Sequence, residues 1–171
     1  PATNFLGKLT TYGEIRSRVD VAAAGLQQLG IKQGSKVGLF LPNSPTFIIY
    51  YFAILKAGGT VVNYNPLYTL EELSFQVRDS ETELMVTLDL AVLFDKVEGL
   101  LASGVLDRAL VCSFPALLPA AKSVLYRLLK GGTLARPKAA AVASRVVLEA
   151  DLLAASPVLR PVAVDPAADE A

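Results

Sequence analysis

Apolar residues in this chain fall into short continuous runs separated by segments with helical spacing. Ile15, Val19, Ala22, Ala23, Leu26 and Leu29 recur every three or four positions, as one buried helix face would. In front of them Thr11-Tyr12-Gly13-Glu14 has the spacing of a capping box, in which hydroxyl and carboxylate satisfy free backbone donors, and Gly30 closes the helix. Residues 37–41 (VGLFL) are apolar throughout, as in a strand covered on both faces. Ser44 and Pro45 then pair a capping hydroxyl with a proline at the first helical position. The apolar run 47–55 lies in that helix, which ends at the double glycine Gly58-Gly59.

The alternation continues. Residues 60–64 predict a strand, Asn65-Pro66 a turn, and Thr69 with Glu72 a second capping box. The helix behind it should turn Leu73, Val77 and Phe75 inward. Residues 83–88 (ELMVTL) predict a third strand, 90–101 a helix and 108–112 (RALVC) a fourth strand. The strands start near 36, 60, 84 and 108, one βαβ unit apart, with no repeat in sequence. The expected fold is α/β, a parallel, doubly wound sheet of about four strands with right-handed crossovers.

After Cys112 the pattern changes. Residues 108–145 hold seven basic side chains and no acidic one. Leu117, Ala121, Val124, Leu125, Leu128 and Leu129 mark one helical face, with Lys122, Arg127 and Lys130 among them and Gly131-Gly132 at its end. An alanine-rich stretch, 139–155, follows. The expected division is a βαβ scaffold over 1–112, a basic helical insertion over 113–156 and a proline-containing, linker-like tail over 157–171.

Composition narrows the function. Hydrophobic residues make up 53% of the 171 and charged residues 19%, against about 25% in ordinary domains. This fits a sheet covered on both faces, or a piece whose remainder covers one side. Sixteen basic and sixteen acidic residues give no drive toward nucleic acid. The single cysteine, Cys112, allows no internal disulfide and reads as a small buried residue. The run 47–55 is half the length a membrane span needs, and PATNFLGK lacks a signal peptide's pattern.

Catalytic patterns are sparse. The chain has no histidine, hence no Ser–His or Cys–His pair. No G-x-G-x-x-G follows a strand, and residues 30–36 (GIKQGSK) have the wrong spacing for a phosphate loop. Glu71-Glu72 and Asp79, Glu81 and Glu83 read as a helix start and a solvated turn. Residues 41–45 (LPNSP) lie where doubly wound folds bind ligands; helix-start donors there could receive an anion, but the preferred reading is that Ser44 caps its own helix. The basic segment 115–130 suits an anionic membrane surface or packing on the rest of a larger protein, packing being preferred.

The order LTTYGEI, GSKVGLFLPNSP, AILKAGG, NPLYT and ETELMVT resembles the N-terminal part of AMP-forming acyl-CoA synthetases, chiefly over residues 9–88. FPALLPAAKSVLYRLLKGG is also similar to the long-chain fatty-acid–CoA ligases of that adenylate-forming superfamily. The resemblance implies that an intact enzyme would use Mg and ATP to form an acyl-adenylate from a fatty acid and pass the acyl group to CoA. It also implies a phosphate loop just beyond Ala171. No catalytic, cofactor-binding or metal residue of the family matches a position in 1–171. The chain is therefore expected to be an N-terminal fragment without ATP, Mg or CoA sites of its own, catalytically inactive and prone to self-associate through exposed apolar surface. The expected location is cytoplasmic, with peripheral contact to the inner membrane face through Lys122, Arg127 and Lys130 also open. Two alternatives are a free-standing partner- or membrane-binding α/β module and a small nucleotide-binding protein using residues 41–45.

Overall fold

The computed structural model describes residues 1–154 and 158–163. A two-stranded hairpin, β1 (Thr3–Phe5) and β2 (Lys8–Thr10), precedes helix α1 (Tyr12–Gln28). Strands and helices then alternate: β3 (Lys36–Leu39), α2 (Pro45–Ala57), β4 (Thr60–Asn63), α3 (Leu70–Ser80), β5 (Leu84–Leu88), α4 (Ala91–Ala102) and β6 (Arg108–Cys112). A 3-10 turn, Phe114–Leu117, leads into α5 (Ala120–Lys130). After further 3-10 turns come β7 (Val146–Leu148) and α6 (Glu149–Ala154).

The sheet is parallel throughout, in the order β4-β3-β5-β6-β7. It has five strands where the sequence predicts about four. Strand β7 lies inside the segment expected as a helical insertion, so that segment also completes the sheet. Helices α2 and α6 pack on one face with α1 against them, and α3 and α4 cover the other. With both faces covered, β5 is buried at every position, and Leu39, Leu84 and Met85 are fully enclosed. At about 25 cal/mol per Å² of apolar area, this layer is the main source of stability.

Local signals place the elements. Both capping boxes form: Thr11 and Thr69 accept from the backbones of Glu14 and Glu72, whose carboxylates accept in return. Ser44 caps α2 by accepting from the Phe47 N–H at 3.4 Å, and Gly58 ends that helix at φ +93°, a left-handed conformation that suits glycine.

Two assignments need correction. Phe75 is 69% exposed, because Leu73 and Val77 already fill the buried stripe of α3. Leu117 belongs to the 3-10 turn and is buried, whereas Val124, Leu125, Leu128 and Leu129 on α5 are exposed. Of the expected tail, residues 158–163 are described: Arg160 exchanges two hydrogen bonds with the side chain of Gln27. Residues 157 and 164–171 lie outside the described residues.

Candidate functional site

The strand order reverses between β3 and β5, and ligands in open α/β sheets bind beyond the strand ends at such a point. Here the position is filled. Lys96 lies 5.8 Å above the Phe40 ring and donates to the Tyr68 carbonyl at 2.6 Å. The Ser44 hydroxyl, the polar group of the turn at 41–45, is taken up by its own helix.

An opening lies farther along the same edge. A cleft of about 550 Å³ is bounded by α1, the start of α2, the carboxyl ends of β5 and β6, and the join between β7 and α6. Its walls are mostly apolar, including Val21, Ile49, Leu117 and Leu153, with Arg18, Asp89 and Glu149 among them. The hydroxyl of fully buried Tyr50 donates to Glu149 Oε1 at 3.2 Å. Burial pushes the Glu149 carboxyl above its ordinary range, against the bond from Tyr50 and the charge of Arg18. Asp89 is raised by burial too, although its Oδ1 accepts from the Phe114 N–H at 2.6 Å. The Cys112 thiol, buried as expected, is pushed well above its ordinary value by desolvation and stays protonated.

This chemistry is limited. Two half-buried carboxyls and a protonated thiol line an apolar pocket, but no activated nucleophile stands beside a base. Among the described residues no group of three His, Cys, Asp or Glu side chains could hold a metal ion. Asp89 serves the fold instead. Its backbone also donates to the Cys112 carbonyl and accepts from Ala135, tying three segments together. Both carboxylates directly follow strands in sequence, after LMVTL and VVL, which is the signal that marks them.

The basic residues 122, 127 and 130 do not converge on one point. Lys122 Nζ donates to the Leu6 carbonyl at 2.7 Å, holding the hairpin to α5. The Arg127 charge acts on Asp89, and Lys130 ends the helix. No described helix is long and apolar enough to cross a membrane.

Similarity to known proteins decides the family to which this geometry belongs. The profile described as AMP-binding enzyme matches residues 1–153. The chain belongs to the AMP-binding enzyme family. It is 40% identical over 127 residues to a long-chain-fatty-acid–CoA ligase of Bacillus subtilis (strain 168), covering 74% of the chain and 22% of that relative. It is 35% identical over 100 residues to 4-coumarate–CoA ligase 4 of Arabidopsis thaliana, covering 58% of the chain and 17% of that protein. A benzoate CoA ligase from Burkholderia xenovorans LB400 shares the fold at a TM-score of 0.63 and 18% identity, over 91% of this chain and 25% of that one. The chain thus spans about a sixth to a quarter of the length of these proteins.

Proposed function

We propose that residues 1–171 form the N-terminal part of a long-chain fatty-acid–CoA ligase. The intact enzyme would convert a fatty acid, ATP and CoA to acyl-CoA, AMP and pyrophosphate through an acyl-adenylate, with Mg. The observation that carries this reading is the 40% identity over 127 residues to a ligase named for long-chain fatty acids, against 35% over 100 residues for the coumarate ligase. In this reading residues 1–112 are scaffold, 113–156 an insertion that adds the edge strand, and 157–171 the approach to the phosphate loop.

In this reading the donors for ATP, Mg and CoA belong to the rest of the enzyme. No glycine-rich turn follows any of the five strands, and the cleft carboxylates are engaged by Tyr50 and Phe114. The chemistry of the ligase is then carried by the rest of the enzyme, and this part alone is expected to be inactive. The reading also puts the enzyme in the cytoplasm, meeting the inner membrane face through the basic segment at 122–130.

The codons beyond Ala171 give the first test. A Gly/Ser/Thr-rich run ending in lysine supports the reading, and a stop codon sinks it in favour of a free-standing binding module. Thioester formation by the longer product gives the second. Hexadecanoate should exceed 4-coumarate in kcat/KM by at least about ten-fold; the reverse order would refute the long-chain assignment alone.

A further inference from the structure

Strand β4 ends the sheet on one side and is left open. Thr60 and Tyr64 donate to the carbonyls of Ser35 and Leu39. With the parallel register to β3, residues 60, 62 and 64 therefore face β3, and the N–H and C=O groups of Val61 and Asn63 point outward. Among the described residues no strand pairs with them. Asn63 is exposed and the rest of the strand half-buried. Nothing blunts this edge: TVVN carries no charge and no proline, and its register with β3 has no bulge. An edge without such protection is a template for a further strand.

The last described residues approach that edge. Leu152 of α6 lies over Gly25 of α1, where a Cβ would stand 2.6 Å from the leucine Cγ. Arg160 meets Gln27 at the end of α1, and a Cβ on Gly58 would stand 3.0 Å from Val162 Cγ1. Gly58 ends α2 just ahead of β4. From β7 at the opposite edge, the chain has thus crossed the width of the sheet on the α1–α2 side and stands at the amino end of β4. The hand of this crossing is the favoured one. The unit β3-α2-β4 moves toward the same edge over the same face, whereas β4-α3-β5 and β5-α4-β6 move the other way over the other face. A strand entered from this tail and laid parallel to β4 closes one more right-handed crossover. The edge of β7 offers no such route, because that strand runs straight into α6. A second copy would pair β4 with β4 about a two-fold axis and leave the approach of the tail without a role.

We propose that the open edge of β4 is completed by a sixth strand of the same polypeptide, parallel to β4 and supplied by the chain that follows Ala171. This rests on the reading that the gene extends past Ala171, and it names where the first downstream segment docks. The outward N–H and C=O groups of Val61 and Asn63 pair with that strand. Its carboxyl end comes level with Asn65-Pro66, so the residues after it emerge on the edge where open α/β sheets bind ligands.

Amide hydrogen exchange of the longer gene product, read against residues 1–171, tests this. Val61 and Asn63 should exchange at least about 100-fold more slowly in the longer product, while the amides of buried β5 report that both products are folded. Asn63→Pro removes an outward donor from an exposed position; it should release Val61 in the longer product, and Asn63→Ala should not. Prolines placed singly over about fifteen codons past Ala171 should release Val61 at the positions of the docked strand. Equal exchange in the two products, or protection that none of these downstream prolines removes, overturns the proposal and leaves the ligase reading intact. Protection in residues 1–171 alone that grows with concentration shows a second copy on the edge and also overturns it. A stop codon directly after Ala171 overturns both.

Discussion

Tyr50 and Glu149 meet across the cleft, the phenol donating to the carboxylate at 3.2 Å and joining α2 to the first turn of α6. Burial raises the acid, so the folded state binds its proton at a pH where the unfolded chain has released it. Stability from this group is thus fully present below its ordinary value of 4.5 and is lost as pH rises through the folded value. Glu149→Gln keeps an acceptor for Tyr50 and removes the charge. The variant should melt higher than the parent at pH 8, with the gap closing below pH ~4.5. An equal or lower melting temperature at pH 8 would show that the charge is fully compensated in the fold.

The capping carboxylates slope the other way. Backbone bonds from Thr11 and Thr69 lower Glu14 and Glu72 below 4.5. Their contribution is complete above that value and disappears as pH falls through the folded values. Glu14→Gln/Glu72→Gln, which keeps both acceptors, should flatten the acid limb of a stability–pH curve measured from pH 5 to 2; an unchanged limb would assign acid sensitivity to other groups.

Gly38 has no room for a methyl group. A Cβ there would stand 2.6 Å from Tyr64 Cε2 and 3.1 Å from Thr82 Cγ2. The Tyr64 hydroxyl is fixed by Ser80 and Thr82 at 2.7 Å each, so the ring cannot swing away cheaply. Gly38→Ala should lower unfolding free energy by roughly 1–3 kcal/mol in urea titrations. A neutral substitution would mean that β3 and β4 slide past one another more freely than their paired register implies.

At the turn 41–45 the capping role of Ser44 makes two expectations. Ser44→Ala should cost about 1 kcal/mol and Ser44→Gly only a few tenths. Millimolar AMP should leave the melting temperature of the parent unchanged, whereas a rise that Ser44→Ala removes would restore the turn as an anion site.

The legible parts of the fold are those with local causes. The two Thr–Glu capping boxes, the Ser44-Pro45 start and Gly58 begin or end helices through contacts within four residues. Strand β7 has no such mark: three residues in an alanine-rich, basic stretch become a strand only by pairing with β6. The β1–β2 hairpin is hidden because its turn uses Leu6 in a left-handed conformation that leucine seldom adopts. Phe75 is misassigned because periodicity finds the buried stripe of α3 but not its width. The cleft joins Asp89, Cys112 and Glu149, and spacing along the chain carries no trace of that meeting.

That this chain is the scaffold end of an acyl-adenylating ligase is tested most directly by fatty-acid-dependent exchange of labelled pyrophosphate into ATP. A product of the gene extending past Ala171 should catalyse exchange with hexadecanoate, and residues 1–171 alone should give none. Exchange by residues 1–171, or none by the longer product with any carboxylic acid, would contradict the account.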